Sequence, residues 1–256
     1  MTRLLYLHFG PHKTGTTSIQ HYLKRNRDAL AGKGISVFHN VRLADGRFAG
    51  HQQGTNCHQI AHLILRPELE TIARRHDRVV QPDPQAIGGI LDEINAQLHR
   101  CPTDAVVVSS ETFSFLRTDA ERAALDRLAD GFALRPVCFF RDKTAWMESW
   151  RRQVTDNISA KLLKTDPAGT IFDFSERSWL LDHDALRRFF GPDGQYLSYE
   201  KALEKHGSVI PDFLTSLGLE PGSLPKADRI WLNTTTEADA TKPVATARPR
   251  KRERHL

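Results

Sequence analysis

Residues 4–23, LLYLHFGPHKTGTTSIQHYL, constrain this chain more than any other stretch. The apolar run from Leu4 to Phe9 breaks at Gly10-Pro11 and passes through His12-Lys13-Thr14-Gly15-Thr16-Thr17-Ser18. It then opens into a helical pattern with Ile19, Tyr22 and Leu23 on one face. A strand, a tight loop and a helix start in that order make an anion site. The first N–H groups of a helix lack intrahelical partners, and the helix dipole favours negative charge there. Glycine lets the loop backbone come close to a ligand, the hydroxyls donate, and lysine adds a full charge.

The lettering separates this loop from the nucleoside-triphosphate loop G-x-x-x-x-G-K-[ST]. Gly10 and Gly15 keep the glycine spacing, but position 16 is threonine and the lysine comes earlier, at Lys13. The loop is expected to cradle a phosphate-like group with its charge brought from another side. The plainer alternative is a capped strand-to-helix turn with an exposed lysine.

The 256 residues are enough for one large α/β domain with a core that needs no staples. Cys57, Cys101 and Cys138 show no C-x-x-C spacing, so neither a disulfide framework nor a zinc site is expected, and Cys138 reads as a core residue. The start, MTRLLYLHFGPH, is too soon interrupted for a signal peptide or membrane anchor, so a cytoplasmic location is expected. The net charge of +5 misleads. From Lys242 onward six basic residues face one acidic residue, Glu253, which leaves the body with 30 of each sign. The body therefore gives no reason to expect a specific nucleic-acid partner. Residues 234–256 lack an apolar period and read as a disordered basic tail after a domain at 1–233. A solvated end is expected there, with a weak contact to polyanions or a membrane surface as the alternative.

The remaining pattern alternates continuous apolar strands with helices. Expected strands are 4–9, 35–38, 105–109, 136–140 and 196–199. Expected helices are 16–31, 57–65, 67–78, 85–99, 119–130, 143–154, 183–190 and 211–217. Strands this uniformly apolar belong to a parallel sheet covered on both faces, and ligands bind at the carboxyl ends of such strands. The fold class expected is α/β: a P-loop-like, three-layer arrangement with a central parallel sheet flanked by helices. Three strand ends then matter together: Gly10–Ser18, Ser109–Glu111 and Arg141.

HKTGTTS closely resembles the phosphosulfate-binding loop of the PAPS-dependent sulfotransferases, in particular bacterial, carbohydrate-type members. The resemblance is strong at 10–18 and 138–150 and loose elsewhere over about 4–233. It implies that Lys13 lies beside the oxygen bridging phosphate and sulfate. It also implies that Thr14, Gly15, Thr16, Thr17 and Ser18 hold the 5′-phosphate of 3′-phosphoadenosine 5′-phosphosulfate (PAPS). Family members bind the 3′-phosphate with a strand-end arginine and a helical serine eight residues apart; Arg141 and Ser149 have that spacing. A planar guanidinium suits a phosphate because it donates two hydrogen bonds at once. Ser149 would also restrain Lys13 until the acceptor arrives. Tyr199, in LSYEKAL, is the remaining nucleotide contact that the resemblance suggests, with a core residue as the alternative. The glycine- and lysine-rich cofactor loop found late in cytosolic members is absent.

Related sulfotransferases carry the general base after the strand that ends here at Glu111, which makes Glu111 the first candidate. A structural carboxylate paired with Lys13 or Arg141 is the alternative. His58 is the competing base or acceptor ligand, with His51 and His62 in the same segment. His58 and His62 share a helical face, but no H-E-x-x-H or cysteine partner accompanies them, so no metal is expected. The implied reaction moves a sulfuryl group from PAPS to a hydroxyl or amine, with a saccharide or other small acceptor and PAP as product. Loops 39–62 and 156–178, with Phe172, Phe174 and Trp179, are expected to wall the acceptor site. The competing functions are an ATP–Mg²⁺ kinase of the P-loop type, disfavoured by the displaced lysine, and a non-catalytic nucleotide-binding adaptor.

Overall fold

The computed structural model describes residues 2–39, 55–75, 78–157, 171 and 178–224. Five parallel strands form one sheet: β1 (Arg3–Phe9), β2 (Ile35–Val37), β3 (Ala105–Ser109), β4 (Phe132–Phe140) and β5 (Gln195–Ser198), in the order β2-β3-β1-β4-β5. β1 is central. Leu7 pairs with Val108 on one side and Pro136 on the other, and His8 with Ser109 and Val137.

Side-chain alternation along the strands sends apolar residues to both faces. Leu5, Leu7, Phe9, Val106, Val108, Cys138 and Phe140 join one buried cluster. Helices α3 (His58–Ile64), α5 (Ile87–His99), α6 (Asp119–Leu128) and α8 (His183–Phe190) complete it. Tyr6, Val107, Val137 and Phe139 face the other way. They meet Ile19, Tyr22 and Leu23 of α1 (Thr16–Arg25), Leu30 of α2 (Arg27–Ala31), Ala202 of α9 (Tyr199–His206) and Phe213 of α10 (Ile210–Ser216). These are the three layers expected of an α/β chain with continuous apolar strands. The short helix α4 (Ile72–Arg75) and α7 (Lys143–Asn157) complete the set, and no described helix is long and apolar enough to cross a membrane.

Several expected boundaries move. The helix expected at 16–31 breaks at Asn26, whose φ of −106° leaves the helical region and whose side-chain amide donates to the Tyr22 carbonyl. The helix expected over 67–78 contracts to Ile72–Arg75, none of whose residues is buried. β4 starts at Phe132, so Pro136 lies inside a strand. It is tolerated because β5 begins pairing only at Val137, so among the described residues no second strand neighbour at Pro136 needs its missing N–H. Tyr199 does not close β5 but opens α9, with Ser198 Oγ accepting from the Lys201 N–H as N-cap. The expected tail at 234–256, His51, Phe172 and Phe174 lie outside the described residues.

Candidate active site

The sheet order places three strand ends side by side. β1 runs into the loop Gly10–Gly15, β3 on one flank ends one residue before Ser110-Glu111, and β4 on the other ends before Arg141.

The loop turns sharply through two left-handed residues. Lys13 has φ 68°, the one positive φ of a non-glycine among the described residues, and Gly15 has φ 84°. A β-carbon on Gly15 would meet Val209 Cγ2 at 2.8 Å, with Tyr199 Cε2 at 3.6 Å. Thr14 is buried and its hydroxyl donates to the Pro11 carbonyl at 2.7 Å, which closes the turn. Gly10 must also lack a side chain: a β-carbon there would meet Thr14 Oγ1 at 2.5 Å and the Phe139 carbonyl at 3.1 Å. The loop delivers α1 with Gly15 as its N-cap, without a side-chain cap bond and without an acidic residue in the first turn. Its leading N–H groups and dipole therefore keep their capacity for an anion.

Arg141 reaches this loop from β4. Its Nη1 donates to the Lys13 carbonyl at 3.0 Å, and its guanidinium lies 5.1 Å over the Tyr199 ring. Arg141 thus holds the strained lysine in place, while its Nε stays buried with no hydrogen-bond partner and lies 4.0 Å from the Glu200 carboxylate. Thr16 Oγ1 is likewise buried and without a partner. Two buried polar atoms without hydrogen bonds at one loop fit a ligand with phosphate-like oxygens. Burial pushes the Tyr199 hydroxyl pKa up against the pull of Arg141, so Tyr199 stays neutral and serves as the platform for the guanidinium. Thr17 is exposed and Ser18 half-buried at the start of α1.

Glu111 opens the 3₁₀ turn Glu111–Phe115. Two amides donate to its carboxylate. Asn56 Nδ2 donates to both oxygens, at 3.2 and 3.1 Å, and Gln20 Nε2 donates to Oε2 at 3.3 Å. Gln20 Nε2 also reaches Ser109 Oγ at 3.3 Å, and that hydroxyl shares a 2.8 Å hydrogen bond with His8 Nδ1. Burial pushes the His8 pKa down to about 3, so the ring is a neutral anchor. Asn56 is delivered by the short segment 55–57, which runs parallel to the end of β3 through an Asn56–Ser109 bridge and the Cys57 N–H to the Ser109 carbonyl. Two neutral amides thus orient the carboxylate.

The loop residue His12 was not singled out by sequence. Its ring stacks on Trp150 of α7, 4.3 Å between centroids and 4° from parallel, and meets Phe115 at 5.6 Å. Burial lowers its pKa; the neighbouring charges act in opposition, Glu111 raising it and Lys13 lowering it. His12 is therefore neutral at pH 7 and belongs to the same electrostatic unit as Glu111 and Lys13. Ser149 sits half-buried on α7, beside the Trp150 that touches the loop.

His58 is half-buried at the start of α3, its ring 6.2 Å from that of His62. His62 is a structural residue. Nδ1 bonds the His58 carbonyl at 2.6 Å, Nε2 bonds Thr71 Oγ1 at 2.8 Å, and burial pushes its pKa down to about 4. Both ring nitrogens are engaged, so this pair does not offer a two-histidine ligand set. Among the described residues no group of three or more His, Cys, Asp or Glu is placed to hold a metal. Gln20 and Asn56 were also missed: neither carries a motif, and both matter only because the fold aims them at Glu111.

No protein-family model matches this chain, and none of the curated proteins does. Among solved structures the chain is similar to a sulfotransferase from Alicyclobacillus acidocaldarius, at 11% identity and a TM-score of 0.49. The match covers 93% of this chain and 88% of that one. The class defined by fold and loop is an α/β protein whose central strand ends in a phosphate-loop-like turn.

Proposed function

We propose that this protein is a PAPS-dependent sulfotransferase that moves a sulfuryl group to a hydroxyl, or an amine, of an acceptor of the carbohydrate or glycolipid type. The observation that carries the reading is the junction of the Lys13–Gly15 turn with Arg141. One guanidinium holds the loop, with a buried Nε that makes no hydrogen bond and only a 4.0 Å ion-pair contact to Glu200, and the Thr16 hydroxyl at the start of α1 is buried without a hydrogen-bond partner. The HKTGTTS lettering and the Arg141–Ser149 spacing add specificity for a nucleotide with a 3′-phosphate.

In this reading the loop amides and the hydroxyls of Thr16, Thr17 and Ser18 bind the 5′-phosphate, while Arg141 and Ser149 bind the 3′-phosphate over Tyr199. Glu111, held by Asn56 and Gln20, takes the proton of the acceptor hydroxyl. The acceptor oxygen forms a bond to sulfur as the sulfur–bridging-oxygen bond breaks. Lys13 stabilises the charge left on that bridging oxygen. As in phosphoryl transfer, in-line positioning and charge stabilisation do most of the catalysis.

The test is thermal stabilisation by ligand, since a ligand that binds only the native state raises the melting temperature. PAP without metal is expected to raise it clearly, and ATP with Mg²⁺ much less. Equal or greater stabilisation by ATP–Mg²⁺ reverses the reading in favour of a kinase. Transfer of radiolabel from PAPS across acceptor classes then identifies the acceptor.

A further inference from the structure

A concave site lies apart from the loop. It is a cleft of about 370 Å³ lined by Arg66, Arg117, Trp179, Asp182 and Ala185, within the range of small-molecule sites. Two ring contacts connect it to the phosphate loop: Trp179 meets Phe115 at 6.1 Å, and Phe115 meets His12 at 5.6 Å.

Its charges are unevenly satisfied. Arg66 and Arg117 both lie against the indole of Trp179, at 5.2 and 5.0 Å. Arg66 Nη1 donates to Glu121 Oε1 at 2.9 Å and to the Phe115 carbonyl at 3.0 Å, so this cation has its carboxylate. Arg117 has none. Its Nη1 donates to the Ser114 and Leu116 carbonyls at 2.7 Å each, while Nε and Nη2 are buried with no partner. Glu121 is already committed to Arg66 and to the N–H groups of Arg117 and Thr118. Asp182 is spent on the Ala185 N–H at 2.8 Å and lies 3.8 Å from Arg188. Burial and the nearby Arg66 push the Arg117 pKa down to about 10, against the weaker pull of Asp182 and Glu121. A buried guanidinium with three of its five N–H donors idle is a costly arrangement for a protein to keep without a counter-ion.

We propose that this cleft binds the carboxylate or sulfate of a sugar-sized organic acid, with Arg117 and Arg66 as its cationic partners and Trp179 as the wall between them. A guanidinium recognises such a planar or tetrahedral oxyanion through paired N–H donors. Placed two aromatic rings from His12, the cleft selects an acidic acceptor; that role, unlike the binding itself, rests on the sulfuryl-transfer reading.

The experiment is calorimetric titration of the full chain with glucuronate, and with glucose as the neutral control, in the presence and absence of PAP. Saturable glucuronate binding and none for glucose is the expected result. Arg117→Gln is expected to weaken glucuronate at least about tenfold, the loss of one charge-assisted contact. Because Arg117 also ties down two carbonyls, Ala185→Glu serves as the second variant. It sets a carboxylate at the cleft wall, leaves every Arg117 bond in place, and supplies an acidic residue at the third position of α8. It is expected to abolish glucuronate binding while leaving the PAP-induced melting shift unchanged. Glucose binding as well as glucuronate, no saturation at tens of millimolar, or glucuronate binding that survives Ala185→Glu overturns the proposal. Absence of any PAP effect with glucuronate binding intact overturns the sulfuryl-transfer reading and keeps the anion site.

Discussion

At the scale of single residues, Gly15, Glu111 and Arg141 make separable claims. Gly15→Ala places a β-carbon at positive φ and against Val209, so it is expected to lose roughly 1–3 kcal/mol of stability and to weaken PAP binding. Urea denaturation checks the first and calorimetry the second; unchanged values for both would show that the loop relaxes freely. Glu111→Gln keeps the shape and removes the carboxylate. Turnover is expected to fall roughly 10²-fold with PAP affinity nearly unchanged, because the carboxylate, oriented by Asn56 and Gln20, is proposed to serve the acceptor and not the phosphates. His58→Ala is expected to change acceptor affinity instead. Normal turnover in Glu111→Gln together with its loss in His58→Ala would exchange the two roles. Arg141→Ala removes both the Lys13 carbonyl bond and the proposed 3′-phosphate contact, so it is judged by comparison of ligands. It should weaken PAP by roughly 1.5–3 kcal/mol more than adenosine 5′-phosphosulfate. Equal weakening of both means that Arg141 acts only through the loop.

At the scale of elements, α6 shows which local signals carry. Thr118 Oγ1 accepts from the Glu121 N–H, and Glu121 returns a bond to the Thr118 N–H, a complete capping box. Thr118→Ala is expected to cost roughly 0.5–2 kcal/mol in urea denaturation. A change within scatter would mean that burial of Leu125 and Leu128 alone holds the helix. The same kind of signal was present before α9, where Ser198 caps, but only Ala202 of that helix is buried, so it lacks a legible apolar stripe. Asn26 ends α1 through its own side-chain bond, a competition between side chain and backbone that an amphipathic pattern does not register. α4 packs only Ile72, partly buried, against the core, and its pattern promised more helix than its packing supports.

At the scale of the whole molecule, the buried histidines couple stability to pH. His8 and His62 have native pKa values lowered to about 3 and about 4, below the ordinary 6.5. Unfolded, each binds a proton below about pH 6.5; folded, neither does until much lower. Their contribution is therefore fully present above pH 6.5 and is lost as pH falls toward the native values. At pH 5 each costs on the order of 2 kcal/mol relative to pH 7.5. Urea midpoints across that window are expected to fall steeply, and His62→Gln should flatten the slope. An equal slope in that variant would show that His62 does not titrate on unfolding.

The sequence by itself determined the strands, most helices and the phosphate-type loop. Short continuous apolar runs bounded by turn residues fit doubly covered strands, and two glycines around a lysine before a helix start leave few alternatives. It also placed Glu111 and Arg141 at strand ends, since each follows an apolar run directly. Only the tertiary structure decided that β3, β1 and β4 are neighbours, which brings those ends to one place. It alone put Asn56 and Gln20 on Glu111, His12 between Trp150 and Phe115, and two arginines around Trp179. These contacts join residues far apart in the chain. A pattern read along one strand or helix holds no information about them, because strand order and the meeting of distant loops are set by packing of the whole sheet.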